Sequence, residues 1–373
     1  MDHLDLDELR SQINEIEEQI LSLFTKRMQT CYKVAEYKIA NDLPVFQMDR
    51  EHQIIERVRS EVPADMADPA EVLFTNMMDI SKCKQFQKFF ADAEPFESSP
   101  LDLTGSRRVA VPGTVGSYSH VAANKFLPES EPEFYDSFGE VFAAVESGKA
   151  EFGVVPIVNS TAGTVSQTYE LMRRHDFKIC ACTKVSVDHC LAIKPDTDLA
   201  DVKRVYSHEQ ALMQCSKYLA QHGWSAHPYE NTALAADFVK ESAEPYAAIC
   251  SEQCANHFGL KIIDHGIANA ECNFTKFILI SKKQLLAPDA DIISVSLTVT
   301  HQTSALYRLL TKFSVSGLNL TMIESRPIAN TDFDVLFYLD FQGSVNSPDV
   351  VKLIRELETE LGYFKLLGNY KEI

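Results

Sequence analysis

Two cationic side chains near the N-terminus fall where an amphipathic helix should be apolar. Apolar residues recur at spacings of three and four from Leu9 to Val34, which predicts a helix of about 35 residues. The same face carries Arg27 and Lys38. They lie about 16 Å apart along the axis, so their long side chains could reach toward each other around a small dianion. Because a buried cation is unfavourable unless an anion meets it, the pair predicts an anion site.

Other polar residues repeat this pattern on the next two predicted helices. Glu51 falls on the apolar face of a helix that begins near Asp49. Ser81 and Gln85 fall on that of a helix from about residue 69 to 90. The sequence therefore predicts an all-α three-helix unit whose interior is polar at one level. In the structural alternative, the two cations extend to solvent or form an ion pair with Glu51.

The length of the first helix predicts a second copy of the chain. Roughly ninety residues that include so long a helix cannot wrap a core around it, and long amphipathic helices usually pair with a partner. Arg10 lies about 25 Å from Arg27 along the same helix. If both bind one ligand they must come from different chains, so we expect an intertwined homodimer.

The rest of the chain has three further patterns. Residues 93–106 are rich in Pro, Ser, Gly and acidic residues without periodicity, which is typical of a linker. From Arg107, short β-rich runs alternate with helix-length segments, which predicts an α/β domain. From residue 285 the order βαββαβ predicts an α+β, ferredoxin-like domain. The predicted divisions are 1–92, 93–106, 107–284 and 285–373.

Small polar residues follow several predicted strands of the α/β domain, among them Ser117, Asn159, Ser160 and Thr161. Each could simply cap a helix. In an open α/β sheet, however, such turns gather at one edge, where helix N-termini present free N–H groups. Together they predict a hydroxyl-lined anion pocket. The segment GTVGS lacks the third glycine of a dinucleotide fingerprint and the Gly-Lys of a nucleotide loop, so neither cofactor is expected.

Two weaker groups of residues suggest other chemistry. A serine hydrolase is disfavoured because the chain has no GxSxG elbow and strand neighbours point to opposite faces. Its candidate residues are Ser119-His120 and Asp188-His189. Cys250, Cys254 and His257 could share a helical face as metal ligands, but ordinary core packing is the simpler interpretation. We therefore expect no metal.

The composition limits the partners. Of 373 residues, 45% are hydrophobic, and the net charge is −18. Such a chain can bury a core and is repelled by phosphate backbones and anionic lipids. No apolar run reaches membrane-spanning length, and no basic flank leads into one. We expect a cytoplasmic protein that binds neither nucleic acid nor membranes, and whose nine cysteines are reduced core thiols.

The helical domain resembles a known enzyme family. The segments LDELR, FTKR, KVAEYK, PVFQMDRE and DISKCKQ span most of residues 4–90 and are similar to the all-helical class of chorismate mutase. The resemblance implies that arginines bind the two carboxylates of chorismate, one of them donated by the partner subunit. It also implies that Lys38 and Gln85 contact the ether oxygen of chorismate and that Glu51 contacts the ring hydroxyl. Gln47 stands where the family often has an acidic residue. The implied site residues are Arg10, Arg27, Lys38, Arg50, Glu51, Ser81 and Gln85.

The α/β domain resembles prephenate dehydratase throughout residues 107–281. The similar segments are VPGTVGSYSH, GVVPIVNSTAG, VDHCL, YSHEQALMQC, ENTALAA, AAICS and NFTKF. The resemblance implies a two-lobed, periplasmic-binding-protein-like fold with the substrate in the cleft, and it assigns Thr275 to assisting the loss of hydroxide. Val158 and Lys276 stand where the family usually has glutamate and arginine. The implied substrate-binding residues are Ser117, Asn159, Ser160, Thr161, Gln214 and Lys276.

Residues 291–370 resemble the ACT regulatory domain. The distinctive stretch is ESRP, Glu324 to Pro327, and the companion segment begins at Ser304 and includes Tyr307. The resemblance implies that phenylalanine binds between paired domains. The alternative is a purely structural dimerisation module. The implied regulatory residues are Ser304, Ala305, Leu306, Glu324, Ser325, Arg326 and Pro327.

Together the three resemblances predict a bifunctional enzyme of phenylalanine biosynthesis. It would rearrange chorismate to prephenate, convert prephenate to phenylpyruvate, respond to phenylalanine and need no cofactor. The alternative is an active chorismate mutase fused to a catalytically impaired module that senses or binds a small molecule, as Val158 and Lys276 would allow.

Overall fold

A computed structural model describes residues 5–46, 48–270, 272–328 and 335–373. Gln47, singled out in the sequence, lies outside the described residues. The chain forms two compact units, one of Met1–Phe96 with Val295–Leu366 and one of Glu97–Ser294 with Leu367–Ile373. The predicted helical domain and most of the predicted α+β domain therefore belong to one unit.

The first unit begins with three α-helices and a short 3-10 helix. Asp5 caps the first of them by accepting a hydrogen bond from the backbone N–H of Asp7 at 3.0 Å. This helix is 35 residues long, as the periodicity predicted. The first and second helices both pack against the third, which therefore has the most buried face of the three. The helices are α1 (Leu6–Ala40), α2 (Met48–Glu61), the 3-10 helix Ala64–Met66 and α3 (Ala67–Phe89).

The second unit alternates strands and helices, as predicted. Its strands are β1 (Ser99–Pro100), β2 (Val109–Pro112), β3 (Glu133–Tyr135), β4 (Phe152–Asn159), β5 (Gly163–Thr164), β6 (Lys178–Ser186), β7 (Cys190–Ile193), β8 (Arg204–His208), β9 (Ser225–Tyr229), β10 (Tyr246–Cys250), β11 (Lys261–Asp264), β12 (Phe274–Ser281) and β13 (Leu285–Leu286). Its helices are α4 (Tyr118–Phe126), α5 (Phe138–Glu146), α6 (Ser166–Arg174), the 3-10 helix Leu199–Asp201, α7 (Glu209–Gln214), α8 (Ser216–His222), α9 (Thr232–Glu241) and α10 (Glu252–Phe258).

Apart from β1 and β13, these strands form two sheets, one in each of two lobes. One sheet has the order β3-β2-β4-β12-β6 with β5 on β4, and the other has the order β11-β7-β10-β8-β9. The chain passes between the lobes twice, after β6 and before β12. These two crossing segments are tied together, because Val187 N–H donates to the carbonyl of Asn273 at 2.8 Å and Ile267 N–H to that of His189 at 3.2 Å. The predicted two-lobed architecture is thus present.

The predicted linker is partly ordered by a strand. Within residues 93–106, β1 pairs in parallel with β13 near the end of the α/β segment. The N–H of Leu101 donates to the carbonyl of Leu286 at 3.0 Å. A two-residue strand leaves no periodicity in the sequence, which is why composition alone indicated a linker here.

The remaining elements follow the predicted order βαββαβ. They form a sheet of order β15-β16-β14-β17, in which β15 is an edge strand. In the described parts of the chain, no helix has both the length and the apolar character that a bilayer crossing requires. The elements are β14 (Ile292–Thr298), α11 (Ala305–Val315), β15 (Leu320–Pro327), β16 (Val335–Gln342), α12 (Pro348–Glu360) and β17 (Phe364–Tyr370).

Candidate active sites

Arg27 points from α1 toward α3. Its Nη1 donates to the carbonyl of Met77 at 3.0 Å and to the hydroxyl of Ser81. The Ser81 hydroxyl donates in turn to the same carbonyl. The half-buried guanidinium is therefore held against the third helix rather than extended into solvent.

Lys38 and Gln85 are both buried on the inner faces of their helices. The Lys38 ammonium donates to the carbonyl of Val45 at 2.7 Å. Burial lowers the pKa of Lys38, and the nearby carboxylate of Glu51 opposes that shift. The Oε1 of Gln85 is buried and has no hydrogen-bond partner among the described residues. This amide is thus available to a ligand at the level of the two cations.

Glu51 belongs to a group of four charged residues that we call the four-charge cluster: Glu51, Asp79, Lys82 and Arg308. The Lys82 ammonium lies 3.1 Å from Glu51 Oε1 and 2.9 Å from Asp79 Oδ1. Arg308 donates from Nε and Nη2 to the two oxygens of Asp79, at 3.0 and 2.9 Å. Its Nη2 is also 3.5 Å from Glu51 Oε2. The ionic partners of Glu51 are therefore Lys82 and Arg308, not the two α1 cations that the structural alternative proposed.

Sequence reasoning missed three members of this cluster. Asp79 and Lys82 stand one turn apart on the buried face of α3, the same signal that indicated Ser81 and Gln85, so they could have been found. Arg308 lies more than two hundred residues away in the chain, and no local pattern connects it to α3.

Arg10 and Arg50 are exposed. The Nη1 of Arg10 lies 3.3 Å from Asp7 on the same helix, and that of Arg50 is 3.5 Å from Gln53. Within one chain, the structure brings Arg27 and Ser81 together but does not bring Arg10 to them, which agrees with the axial distance derived from the sequence.

The second unit contains a cavity of about 550 Å³ to which both lobes contribute. Its wall carries the turns after several strands, where hydroxyl and amide groups were expected from the sequence. Several phenylalanine and valine side chains complete the wall. The polar lining residues used below are Ser117, Tyr118, Asn159, His189, Gln214 and Thr275.

Asn159 and Thr275 lie opposite each other in the antiparallel pair β4 and β12. The Oδ1 of Asn159 accepts from the backbone N–H groups of Thr161 at 3.0 Å and Ala162 at 2.8 Å. Its Nδ2 must therefore face the other way, where it donates to Thr275 Oγ1 at 2.9 Å and to Asn273 Oδ1 at 2.8 Å. Because the Thr275 oxygen already accepts this bond, its own proton is free to be donated to a molecule in the cavity.

His189 extends this network along the cavity wall. Burial lowers the pKa of His189, which favours the neutral ring. Its Nε2 lies 3.0 Å from Gln214 Oε1. This oxygen also accepts a hydrogen bond from Asn273 Nδ2 at 3.3 Å. Nε2 therefore carries the ring proton, and Nδ1 faces the Tyr118 hydroxyl at 3.2 Å. That hydroxyl also lies 2.8 Å from the carbonyl of Asp188. The sequence indicated His189 only as part of the disfavoured hydrolase alternative, and it did not indicate Tyr118 or Asn273 as site residues.

The hydrolase and metal alternatives do not match the contacts. His120 Nδ1 accepts from the N–H of Gly116 at 3.0 Å, so this histidine stabilises a turn. Cys250 and Cys254 lie in an apolar core cluster. Gly116, at φ +83°, packs so closely that a Cβ there would lie 2.6 Å from the Cα of Cys254. Within the described ranges, no group of three or more His, Cys, Asp or Glu side chains is arranged to hold a metal.

Two predictions about single residues need correction. Lys276 is not among the residues that line the cavity, and its ammonium lies 5.8 Å from the centre of the Tyr370 ring. The reason is strand geometry, because successive side chains alternate between faces and its neighbour Thr275 faces the cavity. Cys272 is exposed, in a segment that crosses between the lobes, and is therefore not a core thiol.

The other predicted cleft residues have structural partners. Ser117 lines the cavity and also caps α4 by accepting from the N–H of His120 at 3.2 Å. Ser160 is exposed, and its hydroxyl accepts from the N–H of Phe274 at 2.9 Å. Thr161 donates to Asn273 Oδ1 at 2.8 Å and lines a smaller neighbouring cavity of about 290 Å³.

Two segments of the chain match known protein families. The family model for chorismate mutase type II matches residues 9–86, and that for prephenate dehydratase matches residues 109–285. The bifunctional chorismate mutase/prephenate dehydratase of Escherichia coli strain K12 is 30% identical over 370 residues, which cover 97% of this chain and 95% of that protein. The chain belongs to the bifunctional chorismate mutase/prephenate dehydratase family. The relative from Aquifex aeolicus strain VF5 is also 30% identical, over 98% of both chains.

Solved structures resemble about 70% of the chain. A prephenate dehydratase in complex with L-Phe from Arthrobacter aurescens has a TM-score of 0.66 at 26% identity, and covers 71% of this chain and 90% of its own. GqqA, described as a novel type of quorum quenching acylase, has a TM-score of 0.65 at 27% identity, and covers 72% of this chain and 98% of its own. The two family matches and the bifunctional relatives make this protein an enzyme with an isomerase and a lyase segment.

The two stretches indicated as regulatory lie on α11 and β15. Ser304, at φ +65°, directly precedes α11, and Ala305 and Leu306 are partly buried in its first turn. On β15 the Arg326 guanidinium lies 3.1 Å from Glu324 Oε1. The exposure of β15 alternates strictly along its length, so one face of this edge strand is open.

Proposed function

We propose that the two segments of this family member catalyse successive reactions. The helical segment rearranges chorismate to prephenate, and the cavity between the lobes converts prephenate to phenylpyruvate, carbon dioxide and hydroxide. The observation that carries the proposal is the Asn159 amide, which donates to Thr275 and leaves the threonine proton free. The division at 1–92, 93–106, 107–284 and 285–373 is part of the proposal.

The mutase reaction needs positioned donors rather than a nucleophile. It is unimolecular, so catalysis consists of holding the reactive conformer and stabilising charge on the breaking ether oxygen. Arg27 and Lys38 present two cations from one face of α1, and the buried Gln85 amide has an oxygen without a partner among the described residues. Leaving such an atom unpaired costs about 1–3 kcal/mol, which favours a ligand whose hydroxyl donates a hydrogen bond to this amide oxygen.

A homodimer would complete the mutase site. One face of α1 exposes a row of large apolar residues, with Ile13, Ile16 and Ile20 exposed at 53%, 54% and 59%. An apolar row of this length on a long helix is typical of a helix that pairs with another chain. Arg10 lies on the same helix, and pairing would carry it to the Arg27 of the partner.

The dehydratase reaction needs a proton for the departing hydroxide. A threonine hydroxyl has no useful acidity, so Thr275 acts by a hydrogen bond that stabilises charge as the carbon–oxygen bond breaks. Asn159 fixes the direction of that bond, and backbone N–H groups fix Asn159. Tyr118 and His189 form the adjoining wall, where the Tyr118 hydroxyl donates to the carbonyl of Asp188 at 2.8 Å and lies 3.2 Å from Nδ1 of the neutral imidazole.

Two variants of the cavity test this assignment. Thr275→Val removes the donor, and Asn159→Asp replaces the amide donor by an acceptor that turns the threonine proton away from the substrate. Each should slow phenylpyruvate formation from prephenate by about 10²- to 10³-fold, the effect of one oriented donor. Thr275→Ser should keep most of the activity.

Chorismate consumption by the same variants is the internal control for folding. It should stay at the wild-type rate, because the mutase residues lie in the other segment. Parallel loss of both activities would contradict separate sites. If the unmodified chain formed no phenylpyruvate, the cavity would be a binding module, the alternative drawn from Val158 and Lys276.

We further propose that phenylalanine regulates the enzyme at residues 304–306 and 324–327. The supporting observations are a similar prephenate dehydratase described as a complex with L-Phe and the open face of β15, an edge strand on which a second copy could pair. Pairing through this edge would bring the Glu324–Pro327 stretches of two chains to one interface.

A further inference from the structure

The four-charge cluster joins the proposed mutase site to the C-terminal segment of the same unit. Arg308 belongs to α11, and Glu51 and Asp79 belong to α2 and α3. The guanidinium makes a two-point contact with Asp79 and approaches Glu51 at 3.5 Å. Helix α11 packs directly on α3.

Burial makes the balance of charge in this cluster important. The side chains of Asp79 and Lys82 are only 4% and 7% exposed, and that of Glu51 is 19% exposed. Two cations face two carboxylates, so the cluster is neutral. Without Arg308, Lys82 would be the one cation shared by both carboxylates within the cluster, and a buried carboxylate that loses its partner is strongly unfavourable.

The neighbouring charges cannot replace Arg308. The Lys312 ammonium, one turn further along α11, is engaged by Glu356 and by Glu360 at 2.6 Å, and Cys83 Sγ also lies 3.4 Å from Glu356. Lys38 lies close enough to Glu51 to feel its charge, but its ammonium is bonded to the carbonyl of Val45.

We infer that Arg308 is a positioning residue for the mutase reaction. This role of Arg308 rests on the proposed role of Glu51, and it extends the mutase site to a residue outside the helical segment. Arg308 holds Asp79, so that Lys82 is not drawn fully to Asp79 and the Glu51 carboxylate keeps its place and charge. The C-terminal segment therefore supplies part of the electrostatic frame of the mutase site.

The test uses the full-length chain with Arg308→Met, which keeps the length of the side chain and removes its charge. The mutase kcat should fall about tenfold or more with a smaller change in KM, because a positioned charge acts mainly in the transition state. Dehydratase turnover should be unchanged. Arg308→Lys should restore part of the mutase activity, since a lysine supplies the charge without the two-point contact.

A matched control removes an arginine from the same unit but outside the cluster. Arg355 on α12 lies over the Phe96 ring at 4.3 Å and contacts Glu358 at 2.9 Å. Arg355 is half-buried, as Arg308 is, but it contacts no member of the cluster, so Arg355→Met should leave the mutase kcat within about twofold of the wild type.

A double-mutant cycle separates positioning from a general loss of packing. If Arg308 acts through Glu51, adding Arg308→Met to Glu51→Gln should lower kcat little further. Additive losses, or an unchanged kcat in Arg308→Met, would overturn the inference. If Arg308→Met does not fold, the cycle of Arg308→Lys with Glu51→Gln decides in the same way. Full mutase activity in Glu51→Gln alone would instead refute the proposed role of Glu51.

Discussion

At the scale of single residues, the direction of a hydrogen bond decides what each polar side chain can do. Asn159 could orient its amide either way, but two backbone N–H groups hold its oxygen. That contact makes Thr275 a donor toward the cavity. In the helical segment, burial decides the behaviour of Lys38. It lowers the pKa of the ammonium, so the charged form is harder to keep than in an exposed lysine.

The lowered pKa of Lys38 predicts a pH dependence of the mutase. Burial is the main cause of the shift from the usual value of 10.5, so the folded protein releases this proton at a lower pH than an exposed lysine would. If the charged form serves catalysis, mutase kcat should fall as pH rises through the lowered pKa. The same shift means that the burial cost to stability, present at neutral pH, is relieved as the pH rises through it.

Rate profiles of both reactions between neutral and alkaline pH would check this. Lys38→Arg keeps its charge throughout that range, so any activity that remains in it should lack the alkaline fall. Dehydratase turnover by the wild type provides the control for general denaturation. A mutase rate that stays flat to the pH where exposed lysines titrate would show that the Lys38 charge does not limit catalysis.

At the scale of elements, α1 has a row of large apolar side chains that are exposed within one chain. Ile13→Glu together with Ile20→Glu places two carboxylates in the exposed apolar row. Because the added carboxylates would face the partner helix, the helical segments of the two chains should separate. The mutase site would then lack the arginine that the partner supplies, so most of the mutase activity should be lost. Dehydratase activity per chain should persist. Sedimentation velocity and assays of both reactions measure the outcome.

The matched control adds the same charge to the opposite face of α1. Ser11→Glu with Ser22→Glu lies outside the apolar row, and both positions are exposed. This variant should keep the assembly and the mutase rate of the wild type. Equal activity in the isoleucine variant would remove the dimer from the mutase mechanism.

The sequence predicted elements with strong periodicity and missed short ones. The span of α1 followed from its apolar spacing, whereas β7 has only four residues, all buried, and carries no alternation to detect. The segment ISVSLTV alternates in sequence, yet β14 is buried along its middle on both faces. Its serines are covered as well as its apolar residues, because the hydroxyls of Tyr370 and Tyr363 lie 2.8 and 3.4 Å from those of Ser294 and Ser296.

The site was predictable where the contacts follow local rules. Strand alternation alone would have separated Thr275 from Lys276. The pairing of Asn159 with Thr275 joins residues 116 positions apart, and the contact of Arg308 with Asp79 joins residues 229 apart. Such contacts depend on sheet register and helix packing, which periodicity in one segment does not encode.

At the scale of the whole molecule, three sites on one chain can be linked thermodynamically. If phenylalanine binding weakens prephenate binding by some factor, prephenate must weaken phenylalanine binding by the same factor. The Thr275→Val variant makes this measurable, because it should bind prephenate and consume it far more slowly than the wild type. We expect calorimetric titrations to give one coupling factor of roughly 5- to 150-fold in both directions.

A variant of the proposed effector site provides the control for that experiment. Glu324 faces Arg326 across 3.1 Å on β15, so Glu324→Gln combined with Thr275→Val should weaken phenylalanine binding and leave the affinity for prephenate alone unchanged. Phenylalanine should then have no effect on prephenate binding at concentrations that saturate the parent variant. If phenylalanine binds the parent variant but the affinity for prephenate is the same with and without it, the C-terminal segment binds phenylalanine without regulating the dehydratase. If phenylalanine does not bind, residues 304–306 and 324–327 belong to a structural pairing surface.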